Sequence, residues 1–326
     1  MAELFALNPE YSTTRLVTRE VPTIEEPPDA AFETVLFLPE GEGRKGEGGL
    51  RTKGYFKRSL PDKPLITVIT VVFNGAKHLE QAILSVIEQT HDNVEYIVID
   101  GGSTDGTLDI IRKYEHAIDY WVSEKDGGIY DAMNKGLKLA NGDYIGMLNS
   151  DDWLSTEAIG LISKHKHDSV DFVYSSVFIT SKEGNVLYIK LPEDTETIPY
   201  RMPFPHQTFY AKASIFKKIY GYDTKYKLSA DLDIVWRVIK AGFNGVQIQQ
   251  PMAYFREGGA SGGLITFIET RSIACKYGMG NIKSYFLLVE SLLKVMAINL
   301  IHLRIINFIR NIFGSKKYIP YNRKEI

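Results

Sequence analysis

Two adjacent aspartates, Asp151 and Asp152, follow a short apolar run at residues 144–148 (YIGML), with Asn149 and Ser150 between. The run has the length and composition of a buried strand. Ionised carboxylates at the end of such a strand must each find a cation, a donor or water. In an open α/β sheet the same place is the crevice beyond the strand C-termini, where ligands sit. A divalent ion with a diphosphate ligand would satisfy these acids and give them chemistry. Two more strands end in polar clusters. Residues 65–73 (LITVITVVF) end at Phe73-Asn74, and residues 94–99 end at Asp100, with Ser103 and Asp105 close behind. In a parallel sheet all three tips point one way and converge on one crevice. Each cluster alone also reads as a turn or a helix cap, and Asp105 reads so first.

The elements that must position these groups follow from periodicity. Leu79, Ile83, Val86 and Ile87 recur at helical spacing. Ser103, Thr104 and Asp105 suit the cap of a helix carrying Leu108, Ile111 and Tyr114. A shorter strand covers 118–122. A helix covers 129–140, with Ile129, Ala132, Met133, Gly136, Leu137 and Ala140 on one side. Strands alternating with helices predict an α/β fold with a doubly wound, mainly parallel sheet. Beyond Asp152 the rhythm loosens. Residues 170–180 and 185–190 read as a strand pair about Lys182-Glu183-Gly184, followed by a proline-rich loop at 198–210. Short helices at 213–219 and 232–241, a last strand at 246–250 and a glycine-rich loop at 258–263 complete the domain.

Residues 1–63 read as an irregular extension partly packed on a main domain at 64–263, and 264–326 as a C-terminal helical region. Within the extension, 35–38 suits a short strand and GEGRKGEGG at 41–49 a flexible loop. The 326 residues carry a net charge of −2, 44% hydrophobic and 24% charged residues. That is ordinary globular material with no bulk electrostatic case for nucleic acid. The single cysteine, Cys275, excludes an intramolecular disulfide and a multi-cysteine metal site. The N-terminus lacks a basic-then-apolar leader pattern, and no run of about 18 uninterrupted apolar residues occurs. A cytoplasmic location is expected. At 285–313 an apolar stretch is broken by charges. Ile301, Ile305, Phe308, Ile309 and Ile312 share one helical face; Arg304, Asn307, Arg310 and Asn311 share another, with Lys316, Lys317, Arg323 and Lys324 beyond. Such a basic amphipathic helix suits the headgroup plane at the inner face of the cytoplasmic membrane, although packing on the protein or a dimer contact would use the same pattern. No Gly-x-Gly-x-x-Gly follows the first strand and no Gly-Lys-Ser/Thr loop occurs, which argues against dinucleotide and P-loop sites.

The motifs TVVFNGAKHLEQAILSVIEQT, VIDGGSTDGT, the glycine-containing helix with Asn134, LNSDDW, HQTFY and SADLDIVWRVIKAGF occur in unbroken order between residues 64 and 261. Together they resemble the family 2 glycosyltransferases of GT-A fold, in particular bacterial members acting on surface polysaccharides. The resemblance implies that Val71, Phe73 and Asn74 hold the donor nucleotide base and that Asp100 accepts from its imide. It places Ser103, Asp126 and Asn134 on the nucleotide-sugar side. Asn149-Ser150-Asp151 is similar to an Asp-x-Asp motif whose last acid binds Mn²⁺ or Mg²⁺. Asn149 is neutral, so Asp151 carries the ion, and Asp152 supports it or bonds a sugar hydroxyl. Met133 stands where many members have arginine, and Lys135 is a candidate substitute, although lysine is a point charge without arginine's fork. In Ser229-Ala230-Asp231-Leu232-Asp233 the resemblance makes Asp231 the catalytic base, with helix capping as the plain alternative and Asp233 second. His206, Gln207 and Arg256 are assigned to the acceptor or diphosphate side, Arg256 beside a lid-like glycine loop. For His206 a loop histidine satisfied by backbone, and for Arg256 a surface arginine, are the plain alternatives. Trp153 reads as a loop anchor. The implied activity is metal-dependent, inverting transfer of a hexose or acetamido-hexose, UDP favoured as the carrier, to a glycan or polyprenyl-diphosphate-linked acceptor. A nucleotidyltransferase would need a glycine- and arginine-rich loop after the first strand, which Phe73-Asn74-Gly75 is not. A silent nucleotide-sugar-binding scaffold is the alternative outside enzymes.

Overall fold

The computed structural model describes residues 3–24, 26–193, 201–258, 263–300 and 318–320. Its centre is β2 (Ile66–Val72), seven residues all buried, as expected of a β-branched run covered on both faces. β2 pairs in parallel with β3 (Val94–Asp100) on one side and β5 (Tyr144–Asn149) on the other, and β3 pairs in parallel with β4 (Tyr120–Ser123). Helices α1 (Leu79–Ile87), α2 (Thr107–Lys113) and α3 (Ile129–Leu139) make the crossovers. The sheet continues through β6 (Trp153–Leu154), β7 (Phe172–Thr180), β8 (Val186–Lys190), β9 (Tyr210–Lys212), β10 (Gly245–Arg256) and β11 (Tyr318–Pro320). With β1 (Gly46–Gly48) at its edge, the order is β1-β4-β3-β2-β5-β9-β7-β10-β6, with β8 on β7 and β11 on β8. The fold is thus α/β with a mostly parallel first half and a mixed second half.

Two cores flank the sheet. Leu79, Ile83, Val86 and Ile111 from α1 and α2 cover one face, joined by Ile159 and Ile162 of α4 (Ala158–Lys164). Met133 and Leu137 of α3 cover the other, with Phe216 of α5 (Ala213–Lys218) and Val235 and Trp236 of α6 (Ala230–Lys240). Ile129, expected on the buried side of α3, is 42% exposed at the helix start. Gly136 lets α3 approach β2: a Cβ there would lie 2.4 Å from the Ile69 Cγ2. Gly136→Ala therefore costs about 1–3 kcal/mol of overpacking. Gly160→Ala in α4, whose Cβ meets only Thr90 Oγ1 at 3.5 Å, does not. Urea unfolding of the two variants checks this contrast; equal stabilities would contradict it.

Three expectations need correction. Residues 35–38 form no strand; the Val35 N–H donates to the Lys138 carbonyl at 2.7 Å in a packed loop. The loop read at 41–49 contains β1, which pairs antiparallel with β4 in the register Gly46↔Ser123. Its glycines are required because a Cβ at Gly48 would lie 2.6 Å from the Trp121 Nε1. The strand read at 246–250 runs on to Arg256, with a register shift between Ile248 and Ala253 that accommodates Pro251. The extension also supplies buried ion pairs, Arg51 to Glu95 at 2.7 Å and Lys57 to Asp119 at 2.5 Å. C-terminally, α7 (Leu264–Lys276) packs on α8 (Asn281–Leu300). Among the described residues no helix is long and apolar enough to cross a membrane. The faces read between Ile301 and Ile312, and the basic residues beyond, lie outside the described residues.

Candidate active site

A cleft of about 1000 Å³ opens at the C-terminal ends of the parallel strands. Of the residues singled out in the sequence, Val71, Phe73, Asn74, Asp126, Asn149, Ser150, Asp151, His206, Gln207 and Asp231 border it. The Phe73 ring is 67% exposed there. Asn74 adopts a left-handed conformation at φ 52°. Its N–H donates to Ser103 Oγ at 2.7 Å, and its Oδ1 accepts from the Thr104 N–H at 2.9 Å, so its polar groups knit two loops together. Asp105 stands one residue before Gly106, which caps α2, and serves the turn there, accepting from the Thr107 N–H at 3.1 Å, the Thr107 hydroxyl at 2.6 Å and the Ala76 N–H at 3.1 Å.

Asp100, Ser103, Asn134, Asp152 and Arg256 do not border the cleft. Asp100 is fully buried and accepts from the Ser103 N–H and hydroxyl and, at 2.5 Å, from the Ser123 hydroxyl. It shapes the loop whose Gly101 forms the cleft wall. Asn134 clips the Tyr222 backbone, donating to its carbonyl and accepting from its N–H, both at 2.8 Å. Asp152 is buried beneath the Asn149–Asp151 turn. It accepts from the Gln207 amide at 2.8 Å, the Asn149 amide at 3.2 Å and the Arg256 N–H at 2.9 Å. Burial, with the neighbouring Asp151 charge, pushes its carboxyl up to about 7. Arg256 is turned inward, away from the lid role expected of it. Its guanidinium donates to the carbonyls of Asp151 at 3.1 Å and Lys182 at 2.8 Å and to Gln81 Oε1 at 2.6 Å, and lies 4.9 Å over the Trp153 ring. Trp153 in turn stacks on Tyr254 at 4.9 Å. Arginine and tryptophan together brace the acidic turn from behind. Lys135 is engaged with Glu124 at 2.7 Å.

Asp231 lies in the first turn of α6. Its Oδ1 accepts from the Leu232 N–H at 2.9 Å and the Tyr130 hydroxyl at 3.1 Å. Among the described residues nothing is bonded to its Oδ2. Tyr130, at the start of α3, stacks on Tyr222 at 5.7 Å, and the Tyr222 hydroxyl is 2.8 Å from His206 Nε2. Burial lowers His206 from its ordinary 6.5, which keeps it neutral at pH 7, while burial and the Asp231 charge raise the Tyr130 hydroxyl. Asp233, the second candidate base, is buried against Arg237 at 2.8 Å and Lys276 at 2.7 Å, an ion-pair role.

Lys77, His78, Lys125, Tyr130, Lys227 and Phe255 also border the cleft and were not singled out. Lys77 and His78 carried a signal, standing just beyond the first strand tip. Tyr130 carried none, since its partner lies 101 residues away.

Among the described residues no cluster of three histidine, cysteine or acidic side chains could hold a metal unaided. Asp151 borders the cleft, half-buried, and among the described residues no cation is paired with it. One such carboxylate fits Mg²⁺ or Mn²⁺ only in company, because these ions are commonly held by one or two carboxylates plus substrate phosphates.

A mostly parallel sheet with this cleft and the mixed half beyond it is the GT-A fold. A mannosyltransferase from Pyrobaculum calidifontis, solved with GDP-Man and Mn²⁺, superposes with a TM-score of 0.53 at 16% identity, covering 70% of this chain and 69% of that one. The family described as Glycosyl transferase family 2 matches residues 67–222. An uncharacterized glycosyltransferase of Mycobacterium tuberculosis is 32% identical over 196 residues, 55% of this chain and 70% of that protein. A Bacillus subtilis protein named for teichuronic acid biosynthesis, TuaG, is 34% identical over 137 residues, 40% of this chain and 54% of that protein. The chain belongs to glycosyl transferase family 2.

Proposed function

We propose that the protein transfers a hexose or acetamido-hexose, with inversion, from a nucleotide-diphosphate donor to a bacterial surface glycan. The observation that carries this reading is that Asp151 and Asp231, 80 residues apart in sequence, border one cleft. The Phe73 ring offers the base a stacking face, and Gly101 leaves room for close approach. A divalent ion held at Asp151 would supply charge neutralisation to the departing diphosphate. Leu232 and Tyr130 hold Asp231 Oδ1, leaving Oδ2 to take the proton of the acceptor hydroxyl. The hydroxyl oxygen bonds to the anomeric carbon as the bond to the phosphate oxygen breaks, its electron pair leaving with the diphosphate. One displacement from the opposite side turns an α-linked donor into a β-linked product.

TuaG's name supports a surface-glycan acceptor. Ile282, Phe286, Val289 and Leu293 share one exposed face of α8, and Leu264, Ile265 and Ile268 of α7 are exposed as well. This apolar area supports a peripheral contact with the inner face of the cytoplasmic membrane and a lipid-linked acceptor. Thermal melting with UDP-, GDP- and ADP-sugars plus Mn²⁺ tests the donor class. A ligand at 100 times its Kd stabilises by about 2.7 kcal/mol, so a UDP-sugar raises Tm by several degrees and an ADP-sugar does not. No shift with any nucleotide sugar contradicts the reading.

A further inference from the structure

Two loops, residues 101–103 and 124–126, contribute Gly101, Lys125 and Asp126 to the cleft. They touch: a Cβ on Gly101 would lie 2.6 Å from Asp126 Oδ2. Both are held from behind by consecutive residues of the N-terminal extension. The Lys45 ammonium donates to the Gly102 carbonyl at 2.8 Å and the Ser103 carbonyl at 2.9 Å. The Lys45 N–H donates to the Ser123 carbonyl at 2.7 Å, and the Ser123 hydroxyl supports Asp100. Arg44 donates through Nε and Nη2 to Glu124 Oε2, at 2.9 and 2.7 Å, while Lys135 takes Glu124 Oε1. The Glu124 N–H donates to the Asp100 carbonyl at 3.0 Å. β1 fixes the register of this brace on β4.

We propose that Arg44 and Lys45 are positioning residues for the nucleotide end of the cleft, an inference that rests on the donor reading above. Gly101 and Gly102 have no side chains to pack, and Gly102 sits at φ 83°. Glycine loses more conformational freedom on ordering than any other residue. A loop ordered before the ligand arrives does not charge that entropy to binding. The extension thus sets donor affinity from outside the cleft, and Lys45 acts through backbone carbonyls, so the sugar-transfer step itself is untouched.

UDP and GDP are titrated with Mn²⁺ into wild type, Lys45→Ala, Arg44→Ala and the double variant, with steady-state kinetics alongside. The nucleotide Kd and donor KM rise about three- to tenfold in each single variant and further in the double, with kcat within about twofold. Lys45→Arg keeps a donor and the wild-type Kd. Lys53→Ala, which breaks an exposed pair with Glu115 elsewhere on the extension, changes neither. An unchanged Kd and KM in the double variant overturns the proposal, as does a fall in kcat at constant KM. If wild type binds neither nucleotide, the donor reading itself falls and takes this one with it; if wild type binds and only the brace variants are silent, the donor reading stands.

Discussion

Asp231→Asn slows sugar transfer at least about a hundredfold and leaves nucleotide binding intact. The substitution keeps the size of the side chain and an oxygen for the Leu232 N–H and the Tyr130 hydroxyl, so the first turn of α6 is preserved. What it removes is the carboxylate charge that would accept a proton from the acceptor. General-base catalysis contributes about 10²- to 10⁴-fold, and kcat should fall by that amount. The nucleotide Kd stays at its wild-type value, because Asp231 comes from α6, whereas the proposed base subsite lies at the tips of β2 and β3. A variant that turns over normally would show that Asp231 is a helix-start residue and nothing more. A variant that loses nucleotide binding as well would show that the two halves of the cleft had been read in the wrong order.

Asp151→Asn removes the metal dependence of nucleotide affinity. The wild-type chain is expected to bind a nucleoside diphosphate far better with Mn²⁺ than without, since one carboxylate needs phosphate oxygens to complete the coordination. Losing that carboxylate costs about 3 kcal/mol, roughly two orders of magnitude in Kd, and brings the affinity down to the metal-free value. Calorimetric titration with and without Mn²⁺ reads this independently of turnover. The turn itself persists, because Asp152, Asn149, Gln207 and Arg256 are tied together beneath it without the Asp151 carboxylate. An Asp151→Asn protein that keeps its full Mn²⁺ response would place the ion elsewhere.

How far the sequence reached depended on whether an element declares itself locally. β2 and β3 did: apolar runs rich in β-branched residues read as strands, and both are buried throughout. α1 did, through its apolar spacing. β1 did not, because its glycines look like a loop and it joins the sheet through backbone alone against Trp121. β10 was cut short at Pro251, which a register shift absorbs. At the site, the sequence shows a polar group at a strand tip but not where its hydrogen bonds go. Asp100 and Asn74 turned out to serve neighbouring loops, as short polar side chains near turns tend to do. Asp152 and Arg256 meet only because β10 returns beside the turn after β5, 104 residues on. Asp151 was legible from its place at a strand tip, whereas Asp231 and the buried His206 were reached only through the family resemblance that their motifs carry.

The most direct measurement is anomalous diffraction from a crystal grown with Mn²⁺ and UDP. The account predicts a single manganese peak beside the Asp151 carboxylate, the diphosphate on it, the base against Phe73, and Asp231 Oδ2 facing the open remainder of the cleft. A manganese peak away from Asp151, or a nucleotide bound outside the cleft that Asp231 borders, would contradict it.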